Sequence, residues 1–309
     1  MDMLFVLLSL IAGSLLAVQA GANAQLAKAT GSPFAATTLQ LSVGALALLG
    51  VALFTGTLVA LSGLASAPWW HTVGGTASAF YVVSTILLFP RLGAVVTVGL
   101  FIAGQMLASL SLDTFGLLGV PLKSLDAGTT LGTLAVLLGA AAIVLGQAAA
   151  SMREQLAGNL GWIVLALLAG AVLPVQGAVN GLLRADLGGA PFAVGAVSFF
   201  VATLSMGAAL LGAMLFTDQS RPHLDAVPAM PWWGWLGGFA GAIYVTTVFT
   251  AIPVIGTAAA IGLTVAGQQI ASVFVDKYGW FRLPKRPVSG VRLAGVGLLL
   301  AGVALIQIF

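Results

Sequence analysis

Two amide pairs stand out in a chain otherwise poor in polar side chains: Gln19 with Asn23, and Gln176 with Asn180. A spacing of four places each pair on one face of a helix. Amide side chains both donate and accept hydrogen bonds, and polar groups in an apolar medium are costly unless they meet a partner or a cavity. Brought together around a cavity, the pairs would suit a polar ligand that is neutral or zwitterionic. The competing reading is that they bond one another or a neighbouring backbone and hold helices together. Leu173-Pro174 in a Gly-rich stretch predicts a broken helix and favours the ligand reading. Gln105 and Gln268, the latter beside Gln269, repeat the pattern farther along, open equally to cavity lining and to packing. Tyr81 and Tyr244 place a phenol mid-helix, where it needs a partner or a cavity. Gln19, Asn23, Gln176, Asn180, Tyr81, Tyr244, Gln105 and Gln268 form the candidate substrate-binding set.

Charged chemistry is scarce. The acids Asp2, Asp113, Asp126, Glu154, Asp186, Asp218, Asp225 and Asp276 all fall in or near predicted loops. Asp113 and Asp276 occupy equivalent positions and are the one pair placed for ion coupling, with interfacial anchoring as the alternative. No buried carboxylate is evident in the sequence for a strongly cationic ligand, and no buried Arg or Lys for an anion. His71 and His223 have no second ligand at metal-binding spacing, so no metal is expected. There is no cysteine, which excludes disulfides and thiol catalysis. Phosphate-loop, zinc-hydrolase and serine-hydrolase motifs are missing, so neither an enzyme nor ATP-driven transport by this chain alone is expected, and no cofactor. Trp69, Trp70, Trp232, Trp233 and Trp235 sit at helix starts beside prolines, as interfacial aromatics do.

The elements that must position these groups lie in lipid. Of 309 residues 60% are hydrophobic and 6% charged, a balance no water-facing surface could carry. The 40 glycines suit membrane helices that pack by close backbone approach. The net charge of +3 reads as topology signal, not as a nucleic-acid footprint. Apolar runs predict ten crossings near 3–22, 34–55, 70–89, 93–111, 129–150, 160–182, 191–216, 232–251, 256–275 and 290–309. The first run has the outline of a secretory signal but carries only Asp2 before it, and it has an internal counterpart, so it is read as a helix.

That counterpart belongs to a repeat. Gly13, Gln19 and Asn23 recur as Gly170, Gln176 and Asn180, and Pro33-Phe34 as Pro191-Phe192. Pro68-Trp69-Trp70 and Gly74-Gly75 recur as Pro231-Trp232-Trp233 and Gly237-Gly238. Tyr81, Pro90, Gly93, Gln105, Asp113, Gly116 and Pro121 recur at one spacing as Tyr244, Pro253, Gly256, Gln268, Asp276, Gly279 and Pro284. The organisation is residues 1–150, a linker 151–159 and residues 160–309. With an odd number of crossings in each half, the second begins on the opposite side from the first. The fold class is therefore all-α integral membrane, ten transmembrane helices as two inverted five-helix repeats. Lys28, Arg91, Arg153, Arg221, Lys277, Arg282, Lys285, Arg286 and Arg292 fall on one side of this map, Lys123 and Arg184 on the other. The positive-inside rule makes the basic side cytoplasmic and both termini extracytoplasmic, in a membrane of the bacterial inner type.

The first-helix motifs, Gly13...Gln19...Asn23...Leu26...Gly31-Ser32-Pro33 and Gly170...Pro174-Val175-Gln176...Asn180...Leu183...Gly188...Pro191, resemble the YdcZ-like family of the drug/metabolite transporter superfamily in its fused ten-helix form. Trp233 through Tyr244, with Gly237, Gly238 and Gly241, supports the resemblance. Ala17, where the second copy has Pro174, departs from it. The resemblance implies a ten-helix transporter with a central cavity and leaves the substrate open. The expected function is secondary transport or export of a small neutral or zwitterionic organic solute by alternating access. A lipid or amphipathic-molecule translocase and a non-transporting scaffold are the alternatives. Expected partners are the small-molecule substrate, membrane lipids and a second copy in a homodimer, with no nucleic acid.

Overall fold

A computed structural model describes residues 2–124, 126–148, 159–216, 221–285 and 287–308. The linker residues 151–158, with Arg153 and Glu154, lie outside the described residues, as do Asp218 and Arg286. Among the described residues there is no strand, and ten long helices carry the fold. They are α1 Asp2–Thr30, α2 Pro33–Phe54, α3 Trp69–Leu92, α4 Ala94–Phe115, α5 Ala127–Ala148, α6 Leu160–Asp186, α7 Pro191–Phe216, α8 Trp232–Ile255, α9 Thr257–Tyr278 and α10 Gly290–Ile308. Eight are long and apolar enough to cross a bilayer, and the described stretches of α5 and α10 are shorter apolar helices.

Local chemistry sets the ends. Ser32 caps α2 by accepting from the Ala35 amide at 3.3 Å, with Pro33 in the first turn, where its missing N–H costs nothing. α3 and α8 both begin at a Pro-Trp-Trp and both take a 3-10 step, over Val73–Gly75 and Trp232–Trp235. The turns into α4 and α9 pass through Gly93 (φ 76°) and Gly256 (φ 86°), a region that only glycine enters freely. Leu118 and Phe281 hold equivalent left-handed conformations, φ 54° and 59°. The repeat in the sequence is thus a repeat of backbone detail.

Three expectations need correction. α1 runs to Thr30 and α6 to Asp186, past the expected ends at 22 and 182. Asn23, Gln25 and Lys28 break the apolar pattern without breaking the backbone, and the chain turns only at Gly31 (φ 66°) and Gly188 (φ 61°). α6 also continues unbroken through Pro174, which is buried inside it. The proline removes one N–H from the ladder, and the packed surroundings hold the helix together across the gap.

Packing follows a pseudo-twofold. α1 lies on α8 and α9, and α6 correspondingly on α3 and α4, while α2 pairs with α7 and α5 with α10. Lipid tails are as apolar as leucine, so helices associate by van der Waals contact at small residues. A Cβ at Gly13 would strike the Thr264 backbone, and one at Gly170 the Phe101 backbone. Gly267 meets the Leu10 carbonyl as Gly104 meets that of Leu167. Gly75 and Gly238 repeat this against Ser198 and Gln40, and α5 and α10 cross at Gly132 with Gly302 and at Gly139 with Gly295. Each contact is the image of another, as two inverted copies require. The outer faces carry bare apolar side chains, among them Phe54 at 93% and Phe216 at 86% exposure, which belong against acyl chains and not water.

Gly13→Ala and Gly170→Ala are expected to lower the thermal unfolding midpoint in detergent to a similar extent, each costing about 1–3 kcal/mol by overpacking. Gly207→Ala, in open space, is expected to leave it unchanged. Equal midpoints for all three would contradict the packing.

Candidate functional site

Each first helix carries its amide pair toward a groove formed with its own second helix and the other repeat's third. On α6, Gln176 and Asn180 are buried, 4% and 1% exposed. The Gln176 amide exchanges hydrogen bonds with Ser78 across the repeat boundary. Its Nε2 donates to Ser78 Oγ at 2.9 Å, and Ser78 Oγ stands 3.0 Å from Oε1. Asn180 Nδ2 donates to Ser198 Oγ of α7 at 3.1 Å, leaving Oδ1 buried, without a hydrogen-bond partner and lying over Gly74. On α1 the arrangement is looser. Asn23 Nδ2 donates to Thr37 Oγ1 of α2 at 3.3 Å, its Oδ1 is likewise buried and unpaired, and Gln19 lies over Gly241 of α8.

α1 packs chiefly on α8 and α9, and α6 chiefly on α4 and α3, so each pair is engaged by its own set of neighbours. The NH2 groups of Asn23, Gln176 and Asn180 bind neighbouring helices, while the Asn23 and Asn180 carbonyls have no hydrogen-bond partner.

Tyr81 and Tyr244 stand at equivalent places on α3 and α8. Tyr81 packs its ring on Phe101 of α4 at 4.7 Å between centroids, and Tyr244 meets the Thr264 side chain of α9 at the equivalent place. Tyr244 and Gln176 share a cleft between α8 and α6 whose other walls are Leu173, Gly177, Val245 and Val248. Its space is about 10 Å³, roughly the room one water needs. This cleft is narrow and mainly apolar. Gln105 and Gln269 are buried and Gln268 is half-buried, all on the fourth helices of their repeats. Trp69 and Trp232 are exposed and point away from the cleft residues, as interfacial anchors do.

Sequence reading missed the partners. Ser78 stands where the second repeat has Gly241, and Gln40, buried with Oε1 unpaired against Gly237, stands where that repeat has Ser198. Aligning the second helices as closely as the first would have exposed this polar position. His71 was also set aside, yet its Nδ1 lies 2.5 Å from Asp186 Oδ2, tying the start of α3 to the end of α6. Among the described residues no three His, Cys, Asp or Glu gather as a metal site would require.

Asp113 and Asp276 do not face the cleft. The Asp113 carboxylate accepts from the Thr257 and Ala258 amides at the start of α9, both at 2.7 Å. Asp276 pairs with Arg292 Nη1 at 2.7 Å.

Known proteins agree with this architecture. The inner membrane protein YdcZ of Escherichia coli (strain K12) is 32% identical over 100 residues, covering 30% of this chain and 66% of that protein, so the match spans just under two thirds of the relative's length. A solved crystal structure superposes with a TM-score of 0.66 at 16% identity, covering 99% of this chain and 96% of the other, a likeness of fold. The family described as "Putative inner membrane exporter, YdcZ" matches twice, over residues 4–148 and 161–305. Matched once in each half, this chain belongs to that family, whose description is of a membrane exporter and not of an enzyme.

Proposed function

We propose that the chain is a secondary exporter of a small, neutral or zwitterionic organic solute, working by alternating access between its inverted repeats. The observation that carries this reading is the pair of buried, unpaired amide carbonyls, Asn23 Oδ1 and Asn180 Oδ1, at equivalent places in the two repeats. An unpaired buried acceptor costs about 1–3 kcal/mol, a cost recovered when a ligand donates to it. Tyr81, Tyr244, Gln19, Gln176, Gln105 and Gln268 complete the set that would line the path. In the state described the helices are closed around the cleft, and opening at one end or the other would admit solute. The basic end faces the cytoplasm on this reading, with both termini outside.

The second reading is an amphipathic-molecule translocase, favoured by the apolar walls Leu173, Val245 and Val248 beside Gln176 and Tyr244. Such a substrate would keep its apolar part against these walls and its polar part on the amides.

The test is the thermal unfolding midpoint of the purified protein against sugars, amino acids, quaternary amines, nucleosides and lipids. A ligand that binds only the folded state at about a hundred times its Kd stabilises by about 2.7 kcal/mol. One class of small polar solute is expected to raise the midpoint of the wild type and to lose that effect in Asn180→Ala, with a partial loss in Asn23→Ala. Stabilisation by lipids alone, indifferent to both substitutions, would overturn the small-solute reading and favour the translocase.

A further inference from the structure

Two inverted copies need not make the same contacts at the same time, and the fourth helices show where these differ. α4 and α9 pack on each other from opposite repeats. The last turn of α4 brings Asp113 to the first turn of α9. This carboxylate is 3% exposed, and its oxygens divide between the Thr257 and Ala258 amides at 2.7 Å each. Charge-assisted bonds of this kind are stronger than neutral ones, and the positive end of the α9 dipole adds to them. The loop after α4 completes the grip. The Lys123 amide donates to the Asp113 carbonyl at 2.8 Å, and Lys123 Nζ donates to the Ile255 carbonyl at the end of α8 at 2.7 Å. Asp113 and Lys123 thus hold both arms of the Gly256 turn, tying the repeats together at the Lys123 end.

The same parts exist at the basic end. Asp276 is the equivalent of Asp113, the Gly93 turn of the Gly256 turn, and Ala94 and Val95 at the start of α4 of Thr257 and Ala258. Yet Asp276 turns to its own repeat, where Arg292 of α10 takes it at 2.7 Å. Arg292 stands where the first repeat has Thr129. It is 4% exposed, gives Nη2 to Ser272 Oγ at 3.0 Å, and leaves Nε buried without a hydrogen-bond partner. A buried guanidinium that lost its carboxylate would be left uncompensated, so Arg292 competes strongly for Asp276 within its own repeat.

We propose that Asp113 and Asp276 are alternating latches: in the opposite conformational state Asp276 leaves Arg292 and caps the Ala94 and Val95 amides of α4, while Asp113 releases α9. Both ties are a carboxylate on two helix-start amides, so their exchange would switch the protein between two closed ends. Arg292, the residue the repeats do not share, sets the bias by competing for Asp276. This inference rests on the alternating-access reading, but its test reads backbone protection and not transport.

Amide hydrogen exchange in lipid nanodiscs measures it. In the wild type the Thr257 and Ala258 amides are expected to exchange slowly relative to those of Ala94 and Val95. Arg292→Thr, which installs the first repeat's residue, is expected to slow Ala94 and Val95 by about tenfold, the scale of a charged helix cap, and to speed Thr257 and Ala258. Adding Asp276→Asn to Arg292→Thr is expected to abolish the gain at Ala94 and Val95. Should Arg292→Thr fail to fold, Asp113→Asn replaces it, with the same gain of protection at Ala94 and Val95 expected. Unchanged protection at Ala94 and Val95 in the folded variant, or a gain that survives Asp276→Asn, would overturn the latch. Either result would leave the exporter reading standing on its own ligand test.

Discussion

Backbone-to-backbone contact between the two repeats is the constraint on which the rest of the structure depends. In lipid no hydrophobic force drives one helix onto another, and association falls to close packing and a few hydrogen bonds. Gly13 and Gly170 set the first helix of each repeat on carbonyls of the other's fourth helix, and Gly104 and Gly267 set each fourth helix on carbonyls of the other's first. Gly75 and Gly238 do the same between third and second helices. Because each contact has an image, neither repeat is a free-standing unit. Each buries its first helix in the other, so the pseudo-twofold is the organisation of the core.

The position of the polar groups follows. A first helix held by glycines on one face has its amide pair turned toward the other repeat's third helix, where Ser78 meets Gln176 and Gly241 meets Gln19. The same crossings bring Tyr244 beside Gln176 and shape the cleft between them. Charge is kept to the ends. His71 with Asp186, Asp113 with the start of α9 and Lys123 with the end of α8 join the repeats at one end. At the other, Arg91 lies over the Trp162 ring at 4.1 Å, and Gln25 donates to the Phe281 carbonyl at 2.9 Å. Of the two, the Lys123 end is held by the more strongly charged ties.

Much of this was legible in the sequence, for physical reasons. The membrane setting follows from composition. The helix count follows from the runs between Gly and Pro, and the inversion from an odd number of crossings in each copy. The ends of α1 and α6 were misplaced because polar residues such as Asn23 and Arg184 interrupt hydropathy without disturbing the helix. Pro174 was read as a break because sequence shows the missing donor and not the packing that tolerates it. The amide residues were legible as a duplicated pattern, but their partners were not, since which helices pack on α1 and α6 is a tertiary fact. Asp113 and Asp276 were recognised as equivalent, and their partners were not: spacing cannot foresee that one carboxylate crosses to α9 while the other is drawn to Arg292. His71 and Asp186, far apart in sequence and absent from the repeat, left no pattern to find.

The measurement that bears most directly on the inverted duplication is the sidedness of two equivalent loops. The chain has no cysteine, so single cysteines can be introduced at Leu122 and at its counterpart Lys285, both exposed, and treated in intact cells with a membrane-impermeant maleimide. Labelling at position 122 in intact cells, with position 285 labelled only after permeabilisation, is the result expected of inverted repeats with the basic end in the cytoplasm. Labelling of both positions from the same side would contradict the inversion, and with it the alternating-access mechanism built upon it.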